Sequence, residues 1–167
     1  ELADGKLGFA ETMKNAKAPM MIIGQGALAR GDGAQVLALA RRAAEALGVV
    51  KDGWNGFNVL HTAASRVGAL ELGFVPGPGG RDVSGVLAGC ASGEIEIVWL
   101  QDADEIDVTR LGKAFVIYQG HHGDRAAHRA DVILPGAAYT EKNASYVNTE
   151  GRVQRARLAN FPPGEAK

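Results

Sequence analysis

Short, largely apolar runs recur along this chain, each closing on a turn and most separated from the next by residues of helical period. They are Met20-Met21-Ile22-Ile23 before Gly24-Gln25-Gly26, Glu94-Ile95-Glu96-Ile97-Val98-Trp99-Leu100 before Gln101-Asp102-Ala103-Asp104, Phe115-Val116-Ile117-Tyr118 before Gln119-Gly120-His121-His122-Gly123-Asp124, and Asp131-Val132-Ile133-Leu134 before Pro135-Gly136. A strand with one wet face alternates apolar and polar residues, whereas a run that is apolar throughout suits a sheet covered on both faces. Strands that alternate with helices are joined by crossovers and lie parallel. The expected fold is therefore α/β: an open, doubly wound, mainly parallel sheet flanked by helices, followed by an extended, irregular C-terminal segment. Ligands of such sheets bind beyond the carboxyl ends of the strands, so the four turns are expected to share one edge.

Between the strands, Val36, Leu37, Leu39, Ala40, Ala43, Ala44 and Leu47 predict a helix over 33–47, with Asp32 as N-cap and Gly48 as stop. The spacing predicts further helices over 61–72 and 82–91, the second ended by Gly93, and a short one after Asp124, which is placed as its N-cap, with His128 and Arg129 in its last turn. Asn58-Val59-Leu60 reads as a brief strand or a loop, and Pro76-Gly77-Pro78-Gly79-Gly80 as a mobile loop. These patterns divide the chain into a lead-in segment 1–18, the α/β domain 19–136, and an extended segment and tail 137–167. The start at Glu1 rather than Met and the polar tail suggest a piece of a longer parent chain, with residues from Arg152 onward more mobile than the sheet.

The 18 Lys and Arg residues balance 19 Asp and Glu for a net charge of -1, which gives no general attraction to nucleic acid or an anionic membrane. No apolar run approaches the roughly 20 residues a membrane-spanning helix needs, so no direct membrane insertion is expected. The single cysteine, Cys90, supplies neither an internal disulfide nor the thiolates of an iron–sulfur cluster or a structural zinc site, and apolar packing within its helix is expected.

Several side chains at the strand ends invite functional readings. Gly24-Gln25-Gly26-Ala27-Leu28-Ala29 satisfies a dinucleotide-binding pattern after a strand, but Arg30-Gly31-Asp32-Gly33 separates the glycines from the helix and no acidic residue stands ready for a ribose. A tight turn explains it as well. Asp102, Asp104, Glu105 and Asp107 would repel a phosphate or a pterin pyrophosphate at the ligand edge, or serve as helix-start carboxylates. His121, His122, Asp124 and His128 are chemically capable of binding zinc or moving protons, although adjacent histidines tend to point apart. The ligand-edge candidates are thus Gly24, Gly26, Asp102, Asp104, His121, His122 and Asp124, with no catalytic or metal-ligating residue expected. Arg152, Arg155 and Arg157 suit recognition of an acidic partner surface, or else keep an exposed tail soluble, and a partner is the favoured reading.

Ala130-Asp131-Val132-Ile133-Leu134-Pro135, followed by Glu141-Lys142, Tyr146-Val147-Asn148 and Glu150-Gly151-Arg152-Val153-Gln154, resembles the molybdopterin oxidoreductase family. With Tyr118 to Asp124, Gly24 to Leu28, Asn58-Val59-Leu60-His61 and Leu70 to Gly73, the resemblance narrows to the large iron–sulfur subunits of NADH:quinone oxidoreductase, respiratory complex I, known in bacteria as its G subunits. The resemblance implies a parent that passes electrons from NADH toward quinone through iron–sulfur clusters held in its amino-terminal part. It implies that this segment is a scaffold domain with no cofactor of its own, in contact with other peripheral-arm subunits and the rest of its polypeptide. It places the parent on the cytoplasmic side of a bacterial inner membrane, or the matrix side in a mitochondrion. A molybdopterin-binding oxidoreductase domain is the alternative, and a nucleotide-binding module a third.

Overall fold

The computed structural model describes residues 1–166. Contacts divide the polypeptide into two compact units: residues 1–68 with 147–153, and residues 69–146 with the segment from Gln154 onward.

The first unit is a βαβ arrangement. Helix α1 (Phe9–Asn15) leads to strand β1 (Met21–Gly24), a 3-10 turn (Gln25–Ala27) and helix α2 (Gly33–Ala46). A small hairpin of β2 (Val50–Lys51) and β3 (Trp54–Asn55) then delivers β4 (Phe57–Leu60) parallel to β1, with Met21 opposite Phe57 and Gly24 opposite Leu60. The segment left open as strand or loop is thus a strand. Ala10, Ala44, Leu47 and Val49 form the buried centre, with Met21 and Phe57 packed against it. The Trp54 indole N–H donates to the Pro19 carbonyl at 2.8 Å, and Gly56 passes so close that a Cβ there would lie 2.2 Å from the same oxygen.

Helix α3 (Arg66–Glu71), shorter than the expected 61–72, carries the polypeptide into the second unit. There α4 (Val83–Ser92) is bounded as its sequence prescribes: the Asp82 carboxylate accepts from the Gly85 N–H at 2.8 Å, and Gly93 closes the helix at φ 80°. Strand β5 (Ile97–Gln101) starts three residues later than the apolar pattern, because the Ile95 N–H is held by the Gly89 carbonyl at 3.0 Å and Glu94 is paired with Arg81. Strand β6 (Phe115–Gly120), helix α5 (Arg125–Arg129) and strand β7 (Val132–Pro135) complete a parallel sheet in the order β5-β6-β7. Its core joins Leu87 and Cys90 of α4, Leu111 and Ala126 to Val98, Leu100, Val116 and Tyr118 of the sheet. The extended segment after β7 holds β8 (Ala144–Val147) and β9 (Val153–Ala156), paired across a turn at which Gly151 stands at φ 81°.

The fold class is the expected one, open α/β with parallel sheets and flanking helices. The parallel strands are distributed over two sheets rather than the single one expected, β1 with β4 and β5 with β6 and β7, beside two small two-stranded pairs. Each crossover returns its strand to the neighbour it has just left, the shortest route to pairing. The turn at Gly24 and Gly26 belongs to the sheet of the first unit, and the turns after β5, β6 and β7 leave one end of the sheet of the second. Among the described residues no helix is long and apolar enough to cross a membrane.

Candidate functional site

The carboxyl ends of β5, β6 and β7 carry a groove of about 300 Å³ lined by Gln101, Asp102, Gln119, Gly136, Ala137 and Lys142. This is where an open parallel sheet binds ligands. The strands end in register, Gln101 opposite Gln119 and Gly120 opposite Pro135, so three loops leave the sheet at one level. Asp102 turns the backbone with φ 46°, a left-handed conformation that aspartate tolerates better than most residues. Its N–H donates to the Gln119 carbonyl at 2.9 Å, and this fixes its carboxylate beside β6. There Asp102 Oδ1 lies 2.9 Å from His121 Nδ1.

Beneath the groove, the Tyr118 side chain is buried, with its hydroxyl 2.9 Å from Asp104 Oδ2 and 3.0 Å from the His122 carbonyl. Its one proton is shared between two acceptors. Burial, reinforced by the Asp104 carboxylate, pushes the phenol up to about 12. Gly120 is required above it, since a Cβ there would lie 2.2 Å from the hydroxyl oxygen. The other Asp104 oxygen accepts from the Ala126 N–H at 3.0 Å, in the first turn of α5. That is the capping bond expected of Asp124, which occupies the N-cap position but gives α5 no side-chain bond. A carboxylate from a different loop satisfies the helix instead, and in doing so locks α5 to β6.

The acidic cluster is mostly occupied by such structural bonds. Asp107 opens a 3-10 turn (Val108–Leu111), accepting from both the N–H and the hydroxyl of Thr109 at 3.2 and 2.6 Å, and these bonds hold its carboxyl below the usual range. Asp102 pairs with His121, and Asp104 serves Tyr118 and α5. The rings of His121 and His122 meet edge to face with centroids 4.5 Å apart, so the two imidazoles do not converge on one point. Among the described residues no three His, Cys, Asp or Glu side chains stand close enough to hold a metal ion. His128 lies in the last turn of α5.

The Gly24 and Gly26 turn is a different structure. Gln25 Oε1 accepts from the N–H and hydroxyl of Thr62 at 3.0 and 3.1 Å, tying the turn after β1 to the loop after β4. The glycine that this crossing needs is Gly33, where a Cβ would lie 1.9 Å from the Leu28 carbonyl oxygen. Nothing lies within 4 Å of a Cβ built at Gly24 or Gly26, and neither has a positive φ. Asp32 is at the N-cap position of α2, yet its carboxylate binds Arg30 at 2.7 and 3.0 Å rather than the helix. The glycines thus do not open onto a helix N-terminus as a pyrophosphate cradle requires.

Sequence reasoning missed Tyr118, Lys142, Arg129 and Asp131 as organising residues. Arg129 donates to the carbonyls of Gly112 and Ala114 at 3.1 and 2.9 Å, while Asp131 accepts from the Val116 N–H at 2.8 Å. Together they fasten the opposite edge of the sheet. Only Tyr118 left a trace in the sequence, as a hydroxyl at the end of an otherwise apolar strand.

The whole sequence, residues 1–167, matches the model of the family described as "Molybdopterin oxidoreductase". The chain belongs to that family. Among curated relatives it is 43% identical over 167 residues to the G subunit of the NADH-quinone oxidoreductase of Rickettsia bellii and 42% identical over 167 residues to the "NADH-ubiquinone oxidoreductase 75 kDa subunit" of Reclinomonas americana. It is 45% identical over 163 residues to the mitochondrial "NADH-ubiquinone oxidoreductase 78 kDa subunit" of Neurospora crassa. These alignments cover 100%, 100% and 95% of this chain, but only 23%, 24% and 21% of the relatives. The chain thus spans less than a quarter of the curated relatives it matches.

The family's name raises the question of a molybdopterin, which carries a phosphate or a pyrophosphate. The groove is lined by one ammonium, Lys142, and one carboxylate, Asp102, and in the first turn of α5 the Ala126 N–H is already taken by Asp104. An anionic cofactor needs free N–H donors and excess positive charge. Among the residues lining the groove one ammonium is matched by one carboxylate, so no excess positive charge is present there.

Proposed function

We propose that this chain is a scaffold segment of the G subunit of an NADH-quinone oxidoreductase, and that it supports electron transfer in the parent without carrying electrons itself. The observation that carries the reading is the identity of 42–45%, sustained across essentially the whole sequence, to subunits of that enzyme and of its mitochondrial NADH-ubiquinone counterpart. The site chemistry supports the scaffold role, because the polar side chains beneath and beside the groove serve the fold. Tyr118 and Asp104 lock β6 to α5, Asp107 opens a turn, and Asp102 holds His121.

On this reading the iron–sulfur clusters belong to the amino-terminal part of the parent polypeptide. The partners are the rest of that polypeptide and the other peripheral-arm subunits, without nucleic acid and without direct insertion into the membrane. The parent is held at the membrane through the complex, on its cytoplasmic side in a bacterium. The division into a lead-in segment 1–18, an α/β domain 19–136 and an extended segment 137–167 is read from the strand and helix patterns of the sequence, whereas the two compact units follow contacts.

Native mass spectrometry of the complex purified through the parent polypeptide tests the assignment, and is expected to show the other subunits of an NADH-quinone oxidoreductase. Metal analysis and calorimetry with NADH on the purified domain test the scaffold role. Stoichiometric molybdenum, or saturable NADH binding in the micromolar range, would overturn it in favour of a cofactor-binding domain.

A further inference from the structure

One face of the three-stranded sheet is packed and the other is bare. The packed face carries Val98, Leu100, Val116 and Tyr118 against α4 and α5. The other presents Ile97, Trp99, Phe115, Ile117, Val132 and Leu134, in register across the three strands. Five of these six are exposed, Ile97 at 65% and Trp99 at 58%. Strand β7 is bare on both faces, since Ile133, which points to the packed side with Tyr118, is itself 57% exposed. Its outer edge is unpaired as well among the described residues. The Asp131 N–H donates inward to Val116, so the alternating N–H groups of Val132 and Leu134 point away from β6.

A strand that is apolar on both faces and open at its edge needs three kinds of cover together. A small ligand supplies none of them in full, and a lipid surface cannot satisfy edge N–H groups. A further strand with its own helix supplies all three. We infer that β7 is an interior strand of a larger parallel sheet, and that the next strand and the helix covering the Trp99 face come from the part of the same polypeptide outside these 167 residues. More than three quarters of the length of each relative named above lies outside the matched segment, which is ample length for such an addition. An intrachain strand also closes the edge at the smallest cost in entropy, since it is already tethered.

The inference rests on the reading that the chain is part of a longer subunit, and not on that subunit's function. Hydrogen–deuterium exchange read by mass spectrometry on the full-length parent polypeptide tests it, first alone and then in its complex. Peptides covering 131–136 are expected to exchange as slowly as those covering 115–120, within about tenfold, in the full-length polypeptide alone and at every protein concentration. Exchange of 131–136 at least about a hundredfold faster in both states would show an open edge and overturn the inference. Protection that appears only in the complex would assign the cover to another subunit, and protection that grows with concentration would assign it to a second copy; either result overturns it. Native mass spectrometry reads the subunit assignment separately, so failure of one is not failure of the other.

Discussion

Asp104 offers the sharpest test of how the candidate site is built, because a single carboxylate joins a buried phenol to the first turn of a helix. Asp104→Ala removes the acceptor for the Ala126 N–H, a capping bond worth about 1 kcal/mol. It also removes a charged acceptor from the buried Tyr118 hydroxyl. Bonds of that kind contribute about 1.5–3 kcal/mol, and the low end applies because the His122 carbonyl remains as a second acceptor. The expected loss is about 2–3 kcal/mol, or roughly 5–10 °C in Tm for a chain of this length. Asp104→Asn keeps an acceptor for the helix and should lose only about 1 kcal/mol. Urea unfolding followed by the fluorescence of Trp99 in a Trp54→Phe background reports on the second unit alone. A double-mutant cycle with Tyr118→Phe should give a coupling of about 1 kcal/mol. If Asp104→Ala and Asp104→Asn both unfold within about 0.5 kcal/mol of the parent, the carboxylate is an ordinary surface charge and the reasoning fails.

The same phenol predicts a response to alkali. Because its folded value of about 12 lies above the ordinary 10, the unfolded polypeptide loses this proton first. The stability it contributes is intact below pH 10 and is lost as the pH rises to about 12, a loss that Tyr118→Phe should remove from a pH series of urea midpoints. Gly33→Ala drives a Cβ to 1.9 Å from a backbone oxygen and should cost about 2 kcal/mol or more, whereas Gly24→Ala and Gly26→Ala should stay within about 0.5 kcal/mol in thermal melts. If Gly24→Ala instead abolished a nucleotide-dependent rise in Tm, the turn would be a binding loop. Gly120→Ala should destabilise by about 1–3 kcal/mol, and Tyr118→Phe should relieve only part of this, because the ring carbons also lie within 3 Å of the new Cβ. Cys90 is 2% exposed, so its labelling by a water-soluble thiol reagent should require unfolding and follow the urea transition rather than precede it.

What the sequence by itself determined was local. Apolar runs such as Phe115 to Tyr118 and the helical spacing from Val36 to Leu47 specify elements through their own periods, and Asp82 and Gly93 mark the ends of a helix by bonds and angles within a few residues. Family membership was legible for the same reason, since it lies in linear motifs between Tyr118 and Gln154. What only the tertiary structure decided was partnership. Asp124 and Asp32 both stand at N-cap positions, yet one helix is capped by Asp104 from 22 residues away and the other carboxylate is taken by Arg30. A carboxylate binds the best donor within reach, and reach is set by how the loops converge at the strand ends. The distribution of strands over two sheets was undecided for a related reason: apolar runs are equally able to pair with any parallel neighbour, and only the crossovers select which. Gly33 and Gly120 show the same limit, because each is needed where backbone or side chain approaches closely in space, and no pattern in the sequence separates them from the glycines that nothing touches.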